Sequence, residues 1–249
     1  MKLIQLNIFK GQLFTNTLDF FREEKPDIIT LQEVAVSKGF DAVAKLKQEL
    51  GMRAAFAPIY GVKKPEGIIQ IGNAILTKFK MGQAKTVFYD SPYKTYGHHL
   101  GVENPEAIEQ VLSEPKNFLS ATLETPSGKL RVVTTHLVWS EYCSESLRRI
   151  GQARKLAKAT EGKLPTVVAG DFNIHPNSPS LKVLSKGLTN LGPGITNTLN
   201  PRRHRVFKSI PEGLAVDYIL GKGVSGSARA LNVDVSDHLP LVAEIHMAK

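Results

Sequence analysis

The chain has 249 residues, a net charge of +9, 42% hydrophobic and 22% charged residues, and a single cysteine, Cys143. That composition is ordinary for a globular protein; it excludes an internal disulfide and a thiolate metal cage, and no apolar run is long enough to span a bilayer. One cysteine suits a reducing, cytoplasmic compartment, and a basic surface attracts polyanions.

Residues 2–8 alternate and read as a strand, interrupted by Gln5 and Asn7 and lacking the small-residue cleavage site of a signal peptide. Leu18, Phe20 and Phe21 give residues 17–24 near-helical spacing, and Pro26 ends that helix. Residues 27–34 form a second strand. Ser37 is placed to cap a helix over residues 38–50, which Gly51 stops. Residues 54–58 and 67–77 read as strands with a loop between them. Residues 89–116, rich in Pro, Gly, His, Tyr and charge, read as a long surface loop with a short helix near 105–112. A hairpin follows, 118–125 and 129–136, turning at Pro126-Ser127-Gly128. Residues 144–159 are amphipathic and helical, 166–170 form a buried strand, and 180–184 begin another helix before Gly187. Strands at 215–220, 228–233 and 239–246 complete the chain. With no composition break and no repeat, residues 1–249 read as a single domain in which two sheets pack face to face with helices outside.

Polar residues interrupt these strands at their ends. Glu33 follows Ile28-Ile29-Thr30-Leu31; Asp171 and Asn173 emerge where Val167-Val168-Ala169 stops; Asp217 lies in an apolar strand; Asp237 and His238 stand before the terminal strand. An unpaired buried carboxylate is costly, so Asp217 requires a partner, and His238 is a fitting one. Carboxylate and amide oxygens without cysteine suit Mg²⁺ or Mn²⁺ rather than zinc.

The ordered set Leu6-Asn7-Ile8, Leu31-Gln32-Glu33, Thr135-His136-Leu137, Gly170-Asp171-Phe172-Asn173, Asp217-Tyr218 and Ser236-Asp237-His238 resembles the signature of the endonuclease/exonuclease/phosphatase superfamily, the deoxyribonuclease I-like fold. The resemblance implies an α+β, four-layered α/β/β/α sandwich of two mainly antiparallel sheets with outer helices. It implies that Glu33 is the principal ligand of Mg²⁺ or Mn²⁺, helped by Asn7 and Asp237. Asp171 would orient or deprotonate the attacking water, Asn173 would hold the phosphate, and His238, paired with Asp217, would bond the phosphoryl oxygen. His136 would contact phosphate and protonate the leaving oxygen; exonuclease III-like members carry Tyr there. Asn73 either orients His136 or is a buried-turn asparagine.

Two further clusters stay open on sequence. Arg202, Arg203 and Arg205 would either grip a polymer's second phosphate or sit in solvent. Tyr89, Tyr93 and Tyr96, with His98 and His99, would either stack bases or fill the loop's own small core; the two adjacent histidines are not spaced as zinc ligands. Of Arg148 and Arg149, one is expected to pack or pair on its helix. The expected function is a metal-dependent phosphoesterase, a nuclease on DNA or RNA, with a small- or lipid-phosphate hydrolase and a non-catalytic binding module as alternatives. Nucleic acid is the expected partner, with no membrane and no obligate protein partner, and the chain is expected to be monomeric.

Overall fold

A computed structural model describes residues 1–97 and 107–247. His98 and His99 therefore lie outside the described residues. Two seven-stranded sheets pack face to face. The first runs β13 (Val224–Ala230), β14 (Leu241–Met247), β1 (Lys2–Asn7), β2 (Ile28–Val36), β4 (Gly67–Thr77), β3 (Arg53–Lys64), β7 (Lys94–Tyr96). The second runs β11 (Thr189–Asn190), β12 (Asp217–Lys222), β10 (Thr166–Asp171), β9 (Gly128–His136), β8 (Asn117–Thr125), β5 (Lys80–Met81), and β6 (Lys85–Phe88) also pairs with β8. Pairing is parallel for β1 with β2, β9 with β10 and β3 with β7, and antiparallel elsewhere.

The layers follow from period-two alternation. Leu3, Ile28 and Ile75 of the first sheet meet Leu119, Val132, Val167, Ala169 and Ile219 of the second in a dry core between the sheets. The opposite faces are apolar too. Ile4, Leu6 and Ile29 bury against α1 (Phe14–Glu24) and α2 (Ala42–Leu50) through Leu18, Phe21 and Leu46. Val133, Val168 and Leu220 bury against α4 (Leu147–Ala159) and α5 (Pro179–Leu184) through Ala153, Leu156, Leu181 and Leu184. The four-layered sandwich expected from the sequence is the observed one.

Several local expectations need correction. The second helix starts later than Ser37 implies: Asp41 is its N-cap, accepting from Ala44 N–H at 2.8 Å, while Ser37 closes a turn on Phe40. The strand expected over 54–58 runs on to Lys64, because a bulge between Pro58 and Tyr60 absorbs the proline and lets pairing resume. Within the expected loop, Lys94–Tyr96 pairs with β3, and a helix, α3, covers Ala107–Ser113. The short strand placed at 228–233 is β13, Val224–Ala230. Tyr89 and Tyr96 fill no core of the loop's own and pack on the sheets instead. Tyr96 packs edge-on to Tyr60 with Ile59, Val62 and Ile71, and the buried Tyr89 hydroxyl bonds Thr135 Oγ1 at 2.7 Å.

Candidate active site

The C-terminal ends of β1, β2, β9 and β10 lie at one end of the sandwich, where β12 and β14 begin. Towards that end the inner face changes from apolar to polar: Leu3 gives way to Gln5 and Asn7, Ala169 to Asp171, Val132 to Thr134 and His136, and Ile219 to Asp217. The polar side chains bond across the gap between sheets. Gln5 donates to Asp217 Oδ1 at 2.7 Å, Asn7 to Asp171 Oδ2 at 3.1 Å, Gln32 to Thr134 Oγ1 at 2.8 Å, and Asn73 to Asn117 Oδ1 at 2.9 Å. These bonds tie the two sheets together beneath the site, while the side-chain oxygens of Gln5, Gln32 and Asn73 are buried without a hydrogen-bond partner among the described residues.

Strand alternation alone would turn Glu33 away from this face, one residue after inward Gln32. A register shift between Leu31 and Val34 coincides with a left-handed Glu33 backbone, φ 50°, and re-aims the carboxylate to the mouth. Asn173 does the same beyond β10 with φ 51°; its N–H donates to Asp171 Oδ1 at 3.0 Å and its side chain to Leu137 O at 3.2 Å. Such a conformation in a non-glycine residue costs on the order of 1–3 kcal/mol and persists where surrounding bonds impose it. Gly170 is required for a different reason: a Cβ there would sit 2.1 Å from Thr135 O on the neighbouring strand.

Asp171 is at the centre. Its Oδ2 lies 3.5 Å from His136 Nε2 and 3.8 Å from His238 Nε2. His238 Nδ1 bonds Asp217 Oδ2 at 2.8 Å, the pairing expected from the sequence. Burial works against a charged His238, but Asp217, Asp171 and Asp237 outweigh it and hold its pKa well above the ordinary value. His136 is pushed well below its ordinary value by burial and by Lys116. The lowered pKa favours the uncharged ring, while Glu33 pulls the other way. Burial raises Asp171, aided by Asp217, and burial with Glu33 pushes Asp237 up to about 6 against the opposing pull of His238. Burial would also raise Glu33, but Lys10, His136 and His238 overcome it and its pKa is lowered.

Glu33 raises the pKa of Asp237, so the two carboxylates repel each other at this end of the sandwich. This donor set fits a hard divalent cation, which would relieve the repulsion. Asn7 stands differently from expectation. Its Oδ1 accepts from Phe9 N–H at 3.1 Å, and its Nδ2 faces Glu33 Oε1 at 3.4 Å as well as Asp171. It spaces the two carboxylates and presents N–H, not oxygen, to them. Asn73 is fully buried and donates to Asn117, which matches the buried asparagine reading rather than a contact with His136.

The arginines divide. Arg203 is committed to both oxygens of Asp234, and Arg205 lies over the Trp139 ring at 5.6 Å. Arg202 is exposed. Arg148 forks onto Asp90 through Nε at 2.6 Å and Nη2 at 2.9 Å, and fully buried Arg149 holds the carbonyls of Val138, Cys143 and Ser144. Cys143 is buried, and that burial pushes its thiol up to about 12, so it is no nucleophile.

Two residues of this region were missed on sequence. His204, read only as part of a basic cluster, stacks edge-on to His238 with ring centroids 5.7 Å apart. Trp139 follows His136 by three positions and meets Arg205; its only sequence signal was being the single tryptophan, three residues past a strand-end histidine.

A profile of the Endonuclease/Exonuclease/phosphatase family matches residues 4–238. No curated protein matches the sequence. Among solved structures, an endonuclease/exonuclease/phosphatase from Beutenbergia cavernae superposes with TM-score 0.73 at 18% identity, covering 100% of this chain and 72% of that one. The mannosyl-6-phosphatase of Bacteroides thetaiotaomicron gives 0.69 at 16% identity, covering 99% and 100%. The human nocturnin catalytic domain gives 0.67 at 21%, covering 100% and 93%.

Proposed function

The chain belongs to the endonuclease/exonuclease/phosphatase family, phosphoesterases in general, and on that premise we propose that it is a divalent-metal-dependent nuclease hydrolysing phosphodiester bonds of DNA or RNA. The reading rests chiefly on one observation: Asp171 stands between the buried histidines His136 and His238, of opposite charge tendency, beside the carboxylates Glu33 and Asp237. There is no activated side-chain nucleophile among these groups, which suits attack by water.

Glu33 and Asp237 would hold Mg²⁺ or Mn²⁺, and such an ion supplies charge neutralisation at phosphate. The chain's own residues do the rest. Asp171, its pKa raised by burial, accepts a proton from water and is kept in position by Asn7 and the Asn173 N–H. His238, charged and oriented by Asp217, donates to a phosphoryl oxygen as negative charge grows there. His136 adds an uncharged donor from the opposite side, and Asn173 holds the phosphate.

Polymer substrates are supported by the net charge of +9 and by the Arg205–Trp139 pair, since an aromatic ring with a guanidinium suits a stacked base. A phosphatase acting on a small phosphate is the second reading, favoured by the likeness in fold to a mannosyl-6-phosphatase. Purified protein stripped by EDTA and reloaded with Mg²⁺ or Mn²⁺ is assayed on single- and double-stranded DNA, RNA, a generic phosphodiester and a generic phosphomonoester. Cleavage of polymer over monoester supports a nuclease; turnover of the monoester alone supports the second reading. Undiminished turnover in EDTA overturns both.

A further inference from the structure

Residues 200–208 carry a group that the mechanism above does not use. Asn200 anchors this segment: its backbone N–H donates to Asp237 O at 2.8 Å and its side chain to Ser236 O at 2.7 Å. His204 N–H donates to Asn200 O at 2.8 Å, so the ring is fixed against the Asp237-His238 turn. A His204 ring nitrogen, an Asp237 carboxylate oxygen and a His238 nitrogen lie within 4.8 Å of one another.

By type and distance alone, this trio could be read as a cation site. The tautomer argues otherwise. His204 Nδ1 accepts from Val206 N–H at 3.2 Å, capping the short 3-10 turn Arg205–Lys208. A neutral imidazole accepting at Nδ1 carries its proton on Nε2. A histidine that ligates a metal through Nε2 needs the reverse, a proton on Nδ1 donated to an acceptor. Here Nδ1 faces a donor, so Nε2 has no lone pair to give. It has a proton and, among the described residues, no hydrogen-bond partner.

We propose that His204 is a substrate-binding residue whose Nε2–H donates to an oxygen of the substrate's phosphoryl group beside His238, and that it is not a metal ligand. The Val206 N–H thus fixes which ring nitrogen is the donor, whereas His238 has its Nδ1 on a carboxylate. The proposal rests on the phosphoesterase reading, because it names the group that Nε2 meets.

The test needs no turnover. His204→Asn keeps an acceptor for Val206 N–H, because asparagine caps well, and removes the Nε2 donor. Inorganic phosphate is titrated into Mg²⁺-loaded wild type and variant, and Mn²⁺ affinity is measured separately. Phosphate binding is expected to weaken by up to about tenfold, the contribution of one hydrogen bond, with Mn²⁺ affinity unchanged. His204→Ala should lose as much, with matched circular dichroism showing that the fold is kept. Long-range ¹H–¹⁵N spectra of the wild-type ring should show the Nε2–H tautomer. An Nδ1–H tautomer, unchanged phosphate affinity in His204→Asn, or Mn²⁺ binding weakened tenfold would each overturn the proposal. Failure of wild type to hydrolyse any ester in the panel would instead overturn the phosphoesterase reading and leave these binding results standing.

Discussion

His136 and His238 are buried alike, 7% and 6% exposed, and face the same Asp171 oxygen from opposite walls of the site, yet the pKa of His136 is lowered and that of His238 is raised. Depth is therefore not what decides. His238 has a second carboxylate, Asp217, at 2.8 Å behind its ring, while His136 has the Lys116 cation in its surroundings. Gln5 in turn holds Asp217 at 2.7 Å from the opposite sheet, so the charged corner depends on both sheets being in register. A site with one charged and one neutral histidine around a shared carboxylate supplies a donor for growing charge on one side without a second positive charge repelling it on the other.

The largest effect comes from removing the shared carboxylate. Asp171→Asn should lower kcat by about 10²–10⁴, the usual size of a lost acid–base role, with circular dichroism unchanged. Asp217→Asn makes the two corners alike instead. His238 then loses the partner that raises its pKa, and kcat should fall in the same range while KM changes less. A variant of either kind with wild-type kcat removes that residue from the chemistry.

Next in size is metal affinity. Glu33 keeps a lowered pKa despite burial, so it is the carboxylate ready to meet a cation at neutral pH, whereas Asp237 at about 6 is partly protonated near pH 6. Glu33→Gln should weaken Mn²⁺ binding, measured by calorimetry, by at least the roughly 10–100-fold typical of disturbing a metal's immediate surroundings. Equal affinities for Glu33→Gln and wild type would show that the cation is held elsewhere.

How much of this was legible before the fold was known depends on what each residue's role requires. Asp217 and His238 could be paired on sequence, because a carboxylate inside Val216-Asp217-Tyr218-Ile219 must find a partner. The sandwich followed from the apolar strand faces. Glu33 and Asn173 could be placed near a strand end, but not the left-handed turns that aim them, since neither is a glycine and nothing local demands φ near 50°. His204 could not be found at all: its nearness to His238 is made by the Leu199–His238 bridge and by Asn200, contacts across more than thirty positions of chain. Arg203 stays open between phosphate and solvent on sequence, because a free arginine and an arginine held by Asp234 look the same in one dimension.

The two histidines also give opposite pH signatures in the metal-free protein. His238 has its folded pKa raised, so its contribution to stability is full below the unfolded value of about 6.5 and is lost as pH rises through the folded pKa. His136 has its folded pKa lowered. The unfolded chain then binds the extra proton, and stability falls as pH drops below about 6.5 toward the folded pKa. In urea melts across this range, His238→Gln should flatten the alkaline limb and His136→Gln the limb just below neutral. Identical limbs in both variants would mean that the histidines do not differ in charge.

The smallest effect concerns the place where the two walls meet at the rim. Trp139 follows β9, which ends in His136, and Arg205 follows His204 on the His238 side, so the guanidinium lying 5.6 Å over the ring joins the two walls. Arg203, two residues away, is anchored to Asp234 and holds its own segment instead. If Arg205 meets a polymer's phosphate, its replacement by alanine should remove about 0.9 from the log–log salt slope of duplex DNA binding, one phosphate's worth of released counterions. Arg203→Ala should leave that slope unchanged and change stability little, because the Asp234 ion pair is solvent-exposed. Hydrolysis of a small phosphodiester should be unaffected by either, because its one phosphate lies within reach of His136 and His238 without the rim. Equal slopes for Arg205→Ala and wild type would leave Arg205 as packing for Trp139. A slope lost in Arg203→Ala instead would mean that the Asp234 contact opens when nucleic acid arrives and that the rim is read by the other arginine.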